Sequence, residues 1–112
     1  MMKVAVVGSR NLSVKNLGKY LPAETDELVS GGAKGIDACV RDYAKSSGIA
    51  LSEYLPEYSH YGKYAPLERN KRIVSCADFV IAFWDGESRG TKFVVDLCRK
   101  QQKPSSIFIG NK

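Results

Sequence analysis

The sequence predicts an α/β domain of the Rossmann-like class, a five-stranded, mainly parallel sheet with helices on both faces, three layers in all. Three observations carry this expectation. Five short apolar segments alternate with four helical ones along the 112 residues. The first, Lys3–Val7, is a β-branched run without polar alternation, as expected of a strand covered on both faces. The turns leaving the strands are rich in glycine and hydroxyl residues and pass directly into amphipathic helices, which marks strand–turn–helix crossovers. Right-handed crossovers leave few topologies, and the expected strand order is 3-2-1-4-5. The length suits one domain over residues 1–112, with a core of its own and no room for a second.

The elements follow in order. Strand one, Lys3–Val7, ends at Gly8-Ser9-Arg10. Ser13 is positioned to cap a short helix carrying Val14, Leu17 and Leu21, with Pro22 just beyond. Glu27–Ser30 reads as strand two and leads into the turn Gly31-Gly32-Ala33-Lys34-Gly35. Ile36, Cys39, Val40, Tyr43 and Ala44 then recur on one helical face, and Gly48 is placed to end that helix. Ile49–Leu55 reads as strand three, and Pro56–Ala65 as a polar loop holding Tyr58, His60, Tyr61 and Tyr64. After Pro66 a helix is expected to turn Leu67, Asn70, Ile73, Val74 and Ala77 inward. Phe79–Trp84 is the most apolar strand, and Asp85–Gly90 is a second glycine loop. Thr91 opens a helix with Val94, Leu97 and Cys98 inward, and Ile107–Ile109 closes the chain as strand five.

Composition excludes some classes of function. A hydrophobic fraction of 44% and a charged fraction of 26% describe an ordinary globular chain rather than a disordered one. No apolar run approaches the roughly 20 residues that span a bilayer, so no membrane partner is expected. The start, Met1-Met2-Lys3-Val4, leads straight into a strand and leaves no room for a signal peptide. Cys39, Cys76 and Cys98 are odd in number and widely spaced, which suits free thiols and a cytoplasmic location. One histidine, His60, assembles no metal-ligand set, and neither metal nor cofactor is expected. The net charge of +5 suits a polyanionic partner as well as an ordinary solvated surface.

In a sheet of this order ligands bind at the carboxyl ends of the strands, where the winding reverses between strands one and four. Three loops lie there: Gly8-Ser9-Arg10, Gly31 to Asp37, and Asp85 to Thr91. A strand that ends in glycines and turns into a helix presents backbone N–H groups to an anion, most often a phosphate. The expected ligand-binding residues are therefore Gly8, Ser9, Arg10, Gly31, Gly32, Ala33, Gly35, Asp37, Asp85, Gly86, Ser88, Gly90 and Thr91, joined by Arg69 and Asn70 of the basic helix. Arg10 has the fork to hold a phosphate or carboxylate. Asp37, in the first turn of its helix, is read as offsetting the helix dipole or orienting a neighbour rather than as a base. Asn70 falls on the inward face and needs partners for its amide. No Ser-His-Asp, Cys-His or paired-carboxylate arrangement follows from position, so catalytic residues are not assigned. The loop tyrosines offer flat faces for a base or for a subunit contact in a homodimer.

Three blocks, Val6-Val7-Gly8-Ser9-Arg10, Ser30-Gly31-Gly32-Ala33-Lys34-Gly35-Ile36-Asp37 and Arg69-Asn70-x-x-Ile73, resemble in that order the Rossmann core of DNA-processing protein A. With Ala77-Asp78 and Gly90-Thr91 the pattern also resembles the wider SLOG superfamily, which includes small YpsA-like proteins and the Lonely Guy (LOG) phosphoribohydrolases. The resemblance runs from Val4 to about Cys98 and implies a nucleotide or nucleotide-derived ligand across the glycine loops, bound or sensed. Single-stranded DNA is the alternative partner that it implies, and hydrolysis of a nucleotide N-glycosidic bond the second alternative. The LOG enzymes carry P-G-G-x-G-T-x-x-E in the last loop, and this chain has Val94 where that glutamate stands. The missing carboxylate turns the expectation from an enzyme towards a binding protein.

Overall fold

A computed structural model describes residues 2–110. The strands β1 (Met2–Gly8), β2 (Thr25–Ser30), β3 (Ala50–Glu53), β4 (Phe79–Trp84) and β5 (Ser105–Ile109) form one sheet of order β3-β2-β1-β4-β5. Every pairing is parallel, and the order is the one expected. The helices are α1 (Ile36–Ser47), the single turn α2 (Tyr58–Tyr61), α3 (Ala65–Cys76) and α4 (Arg89–Gln101). Val4 to Val7 are all buried because their side chains alternate between two covered faces. Ala5, Val7, Val80 and Ala82 face Ile73, Val74, Val94 and Val95 of α3 and α4. Val4, Val6, Ile81 and Phe83 face Leu17, Ile36, Val40 and Ala44 on the opposite side.

The departures from expectation have local causes. Between β1 and β2 there is only a 3-10 turn, Leu17–Tyr20. Its N-cap is Asn16 in the left-handed region, not Ser13. Gly18 disfavours a longer helix and lies so close to the Tyr43 hydroxyl that an added Cβ would sit 2.5 Å from it. Strand β3 is shorter than Ile49–Leu55 because its one neighbour, β2, turns away after Ser30, which pairs with Glu53. The segment expected as a loop folds into α2 and a 3-10 turn, Gly62–Tyr64, that runs into α3. Helix α3 starts at Ala65, ahead of Pro66, a position where proline is tolerated because first-turn N–H groups have no helical acceptor. Leu67 is exposed rather than turned into the core, and α4 starts at Arg89, with Ser88 as its N-cap, rather than at Thr91. Among the described residues no helix is long and apolar enough to cross a membrane.

Candidate functional site

The carboxyl ends of β1, β2 and β4 open on one cleft of about 400 Å³. Of the residues expected to bind a ligand, Gly8, Ser9, Arg10, Gly31, Ala33, Asp37, Arg69, Asn70, Asp85, Ser88, Gly90 and Thr91 all line it. Gly32, Gly35 and Gly86 are not in its wall. The sequence reading did not anticipate Val7, Asn11, Pro66, Leu67, Ile73 and Val94 as lining residues. The signal for Ile73 and Val94 was only an inward helical position, which does not distinguish the core from the floor of a cleft.

The β1 and β4 loops are stapled together by Ser9, which is buried. Its backbone N–H donates to the Phe83 carbonyl at 3.0 Å. Its hydroxyl accepts from the Asp85 N–H at 3.1 Å and pairs with the Ser88 hydroxyl at 2.8 Å. Asp85 Oδ1 accepts from the N–H groups of Ser88 at 2.7 Å and Glu87 at 2.9 Å. Those two donors, Ser88 first, hold its carboxyl down at about 2.

The β2–α1 turn is organised by Arg69 and Asp37. Arg69 Nη1 donates to the carbonyls of Gly31 at 2.7 Å and Tyr54 at 3.3 Å, and Nε donates to Asn70 Oδ1 at 2.8 Å. Three of its five N–H donors are thus committed, leaving Nη2 for the cleft. Burial lowers the Arg69 pKa; Asp37 opposes that shift and the nearby Arg10 guanidinium adds to it. Asp37 Oδ2 accepts from the Ala33 N–H at 3.0 Å. Burial pushes the Asp37 carboxyl up, against the Ala33 N–H, the Ser30 hydroxyl and Arg69.

The glycines have structural work here that the sequence attributed to a ligand. At Gly31 an added Cβ would lie 2.5 Å from Arg69 Nη1. Gly35 has φ +68°, and its Cβ would lie 2.5 Å from the Arg10 carbonyl oxygen and 2.7 Å from that of Ser9. Gly35 lets its loop lie directly against the loop after β1, and Gly31 leaves room for the Arg69 side chain from α3. Gly90 differs, with open space where a Cβ would be.

At the start of α4, as at the start of α1, the N-cap residue makes no side-chain capping hydrogen bond, and the Asp85 carboxylate holds the Glu87 and Ser88 N–H groups just ahead of α4. Thr91 is only 6% exposed and lines the cleft. Arg10 is exposed at the rim. Val94, one turn further along α4, is 1% exposed and forms apolar floor with Ile73 and Val7. The arrangement offers N–H donors, a hydroxyl and two guanidiniums over a dry floor. No protein-family model, curated protein or solved structure matches the chain.

Proposed function

We propose that this cleft binds a nucleotide or nucleotide derivative and that the phosphate rests on the first turn of α4. One observation carries the reading. An uncapped helix N-terminus, the Thr91 side chain and the Arg10 guanidinium share a cleft of about 400 Å³ at the switch point of the sheet. That volume lies in the range of small-ligand sites. A phosphate there gains backbone donors, a helix dipole and an arginine fork at once. The apolar floor of Val7, Ile73 and Val94 suits the uncharged part of the ligand.

The same floor weighs against hydrolysis of a glycosidic bond. α4 lines the cleft here with Val94 instead of a carboxylate, and Asp85 is already tied to two backbone N–H groups. The reading is tested by thermal shift of the chain against a panel of nucleotides. A ligand at 100 times its dissociation constant adds about 2.7 kcal/mol. Thr91→Ala and Arg10→Ala should each weaken that ligand. No stabilisation by any member at millimolar concentration refutes the proposal.

A second reading is binding of single-stranded nucleic acid, and the tyrosines favour it. Tyr58 and Tyr64 are 59% and 58% exposed on the segment leading into α3. Tyr58 also acts electrostatically on Arg69 of the cleft. Exposed rings beside a basic rim suit base stacking. Oligonucleotide binding that falls steeply with salt supports this reading, and salt-insensitive or absent binding removes it.

A further inference from the structure

The sheet has two edges, and the chain treats them differently. β3 is short and ends in Glu53, whose carboxylate pairs with Arg41 at 3.0 Å. A charge on an edge strand discourages other strands from adding to it. β5 reads Ser-Ser-Ile-Phe-Ile and carries no charge, proline or bulge. Its bonds to β4 fix which backbone groups face away. The Pro104 carbonyl accepts from the Val80 N–H at 3.0 Å, and the Gly110 N–H donates to the Trp84 carbonyl at 2.9 Å. By alternation residues 104, 106, 108 and 110 serve β4, so Ser105, Ile107 and Ile109 turn their N–H and C=O groups outward. Among the described residues no strand pairs with that side. The apolar side chains there are open too. Ile109 is 71% exposed and Phe108 38%, although the Phe108 ring packs on Tyr20 and Phe83 at centroid distances of 5.0 and 5.4 Å. An uncharged apolar edge with free backbone groups is completed by another strand.

We infer that β5 is a homodimer interface, in which the β5 strands of two copies pair antiparallel about a two-fold axis at Phe108. The sequence itself selects a second copy as the occupant. Ser106-Ile107-Phe108-Ile109-Gly110 is symmetric in kind about Phe108, small-Ile-Phe-Ile-small, as an isologous contact demands. In that register Phe108 meets Phe108, Ile109 of each copy meets Ile107 of the other, and Ser106 meets Gly110. Ile107 and Ile109 then take the hydrogen-bonded positions, which is what their outward groups require, and Phe108 takes the closer, non-hydrogen-bonded one. An axis at Ile107 also keeps the bonding groups in step, but it sets Ile109 against Ser105. The strand adds no like-charge repulsion to a chain of net charge +5. The pairing joins two five-stranded sheets into one and turns the two clefts to opposite ends of it.

The experiment is sedimentation of the full chain and its variants, with thiol cross-linking as a second readout. The parent chain should sediment as a dimer. Ile109→Lys, at an exposed position, should raise the dimer dissociation constant at least about tenfold with unchanged circular dichroism. Ile109→Pro removes an outward N–H that β4 does not use, and it should act the same way. Phe108→Cys should cross-link two copies under mild oxidation, because a non-hydrogen-bonded pair sets its Cα atoms about 4.5 Å apart. Ile109→Cys should not, since its two copies lie beyond the roughly 7 Å that a disulfide spans. The native thiols are buried or half-buried, and the parent chain sets their baseline.

A parent chain that stays monomeric up to about 100 μM overturns the inference. A dimer left intact by both Ile109→Lys and Ile109→Pro overturns it too and assigns the contact to another face, such as that of Tyr58 and Tyr64. Cross-linking of Ile109→Cys in place of Phe108→Cys refutes the register and with it the axis at Phe108.

Discussion

Gly31→Ala tests whether the glycine of the β2–α1 turn is there for Arg69. The added methyl would stand 2.5 Å from Nη1, 2.9 Å from Cζ and 3.1 Å from Asp37 Oδ2. The arginine has to retreat, and with it go the bonds to the Gly31 and Tyr54 carbonyls and to Asn70 Oδ1. Such bonds to a half-exposed guanidinium contribute about 1 kcal/mol each. The expected loss is about 2–3 kcal/mol, or a fall in Tm of about 8–12 °C for a domain of this size. The φ of Gly31 is not in the left-handed region, so alanine costs nothing through the backbone. Without the clash it should stabilise by about 0.4–1 kcal/mol by restricting the unfolded chain. Urea melts of Gly31→Ala, Arg69→Ala and the double variant therefore form a decisive cycle. In the Arg69→Ala background the second substitution should change stability by less than about 0.5 kcal/mol, since only the Asp37 contact still opposes it. An equal cost in both backgrounds refutes the argument.

Two further predictions concern acid. Asp85 titrates at about 2 in the folded chain, below its ordinary value of 3.8. Its contribution is thus present above about pH 4 and lost as the pH falls towards about 2. Asp85→Asn should flatten acid unfolding in that window, and an unaltered curve refutes the role of its two N–H donors. Asp37 runs the other way, its carboxyl raised above 3.8 by burial. The stability it gives when protonated is present below its ordinary pKa and lost as pH rises through the raised one. Asp37→Asn fixes the uncharged form, so at pH 7 it should melt no lower than the parent, with the difference shrinking at pH 3. A loss of several degrees at pH 7 counts against this.

The sheet was legible because its cause is local. β-branched runs such as Val4–Val7 and Val80–Ile81 need cover on both faces, and handedness then leaves few orders, of which the expected one is found. Asn70 was legible for the same reason, since Leu67, Asn70 and Ile73 are spaced along a helix; its use as the acceptor that steadies Arg69 was not. Contacts between distant loops leave no periodic trace. Gly8 reads as an approach to a ligand, whereas a Cβ there would lie 2.3 Å from Ile36 Cγ1. Arg69 reads as a charge on a basic helix, and only the fold shows that it joins the turn after β2 to the end of β3. The segment Tyr58–Tyr64 reads as a loop because it is polar as well as aromatic; it folds as short turns that bury none of its side chains.

Two positions shape the cleft most, and both are unusual for their place. Val94 puts an apolar side chain on the face of α4 that looks into the cleft, so no carboxylate of α4 is there to assist bond cleavage. Asp37 puts a buried carboxylate at the α1 turn, where it holds the Ala33 N–H. A buried ionised group costs stability unless its partners fully repay it, and the raised carboxyl of Asp37 shows that here they do not. Uncompensated cost of this kind concentrates at functional sites. The cleft wall thus carries two carboxylates, Asp37 and Asp85, each held by backbone N–H groups of its own loop.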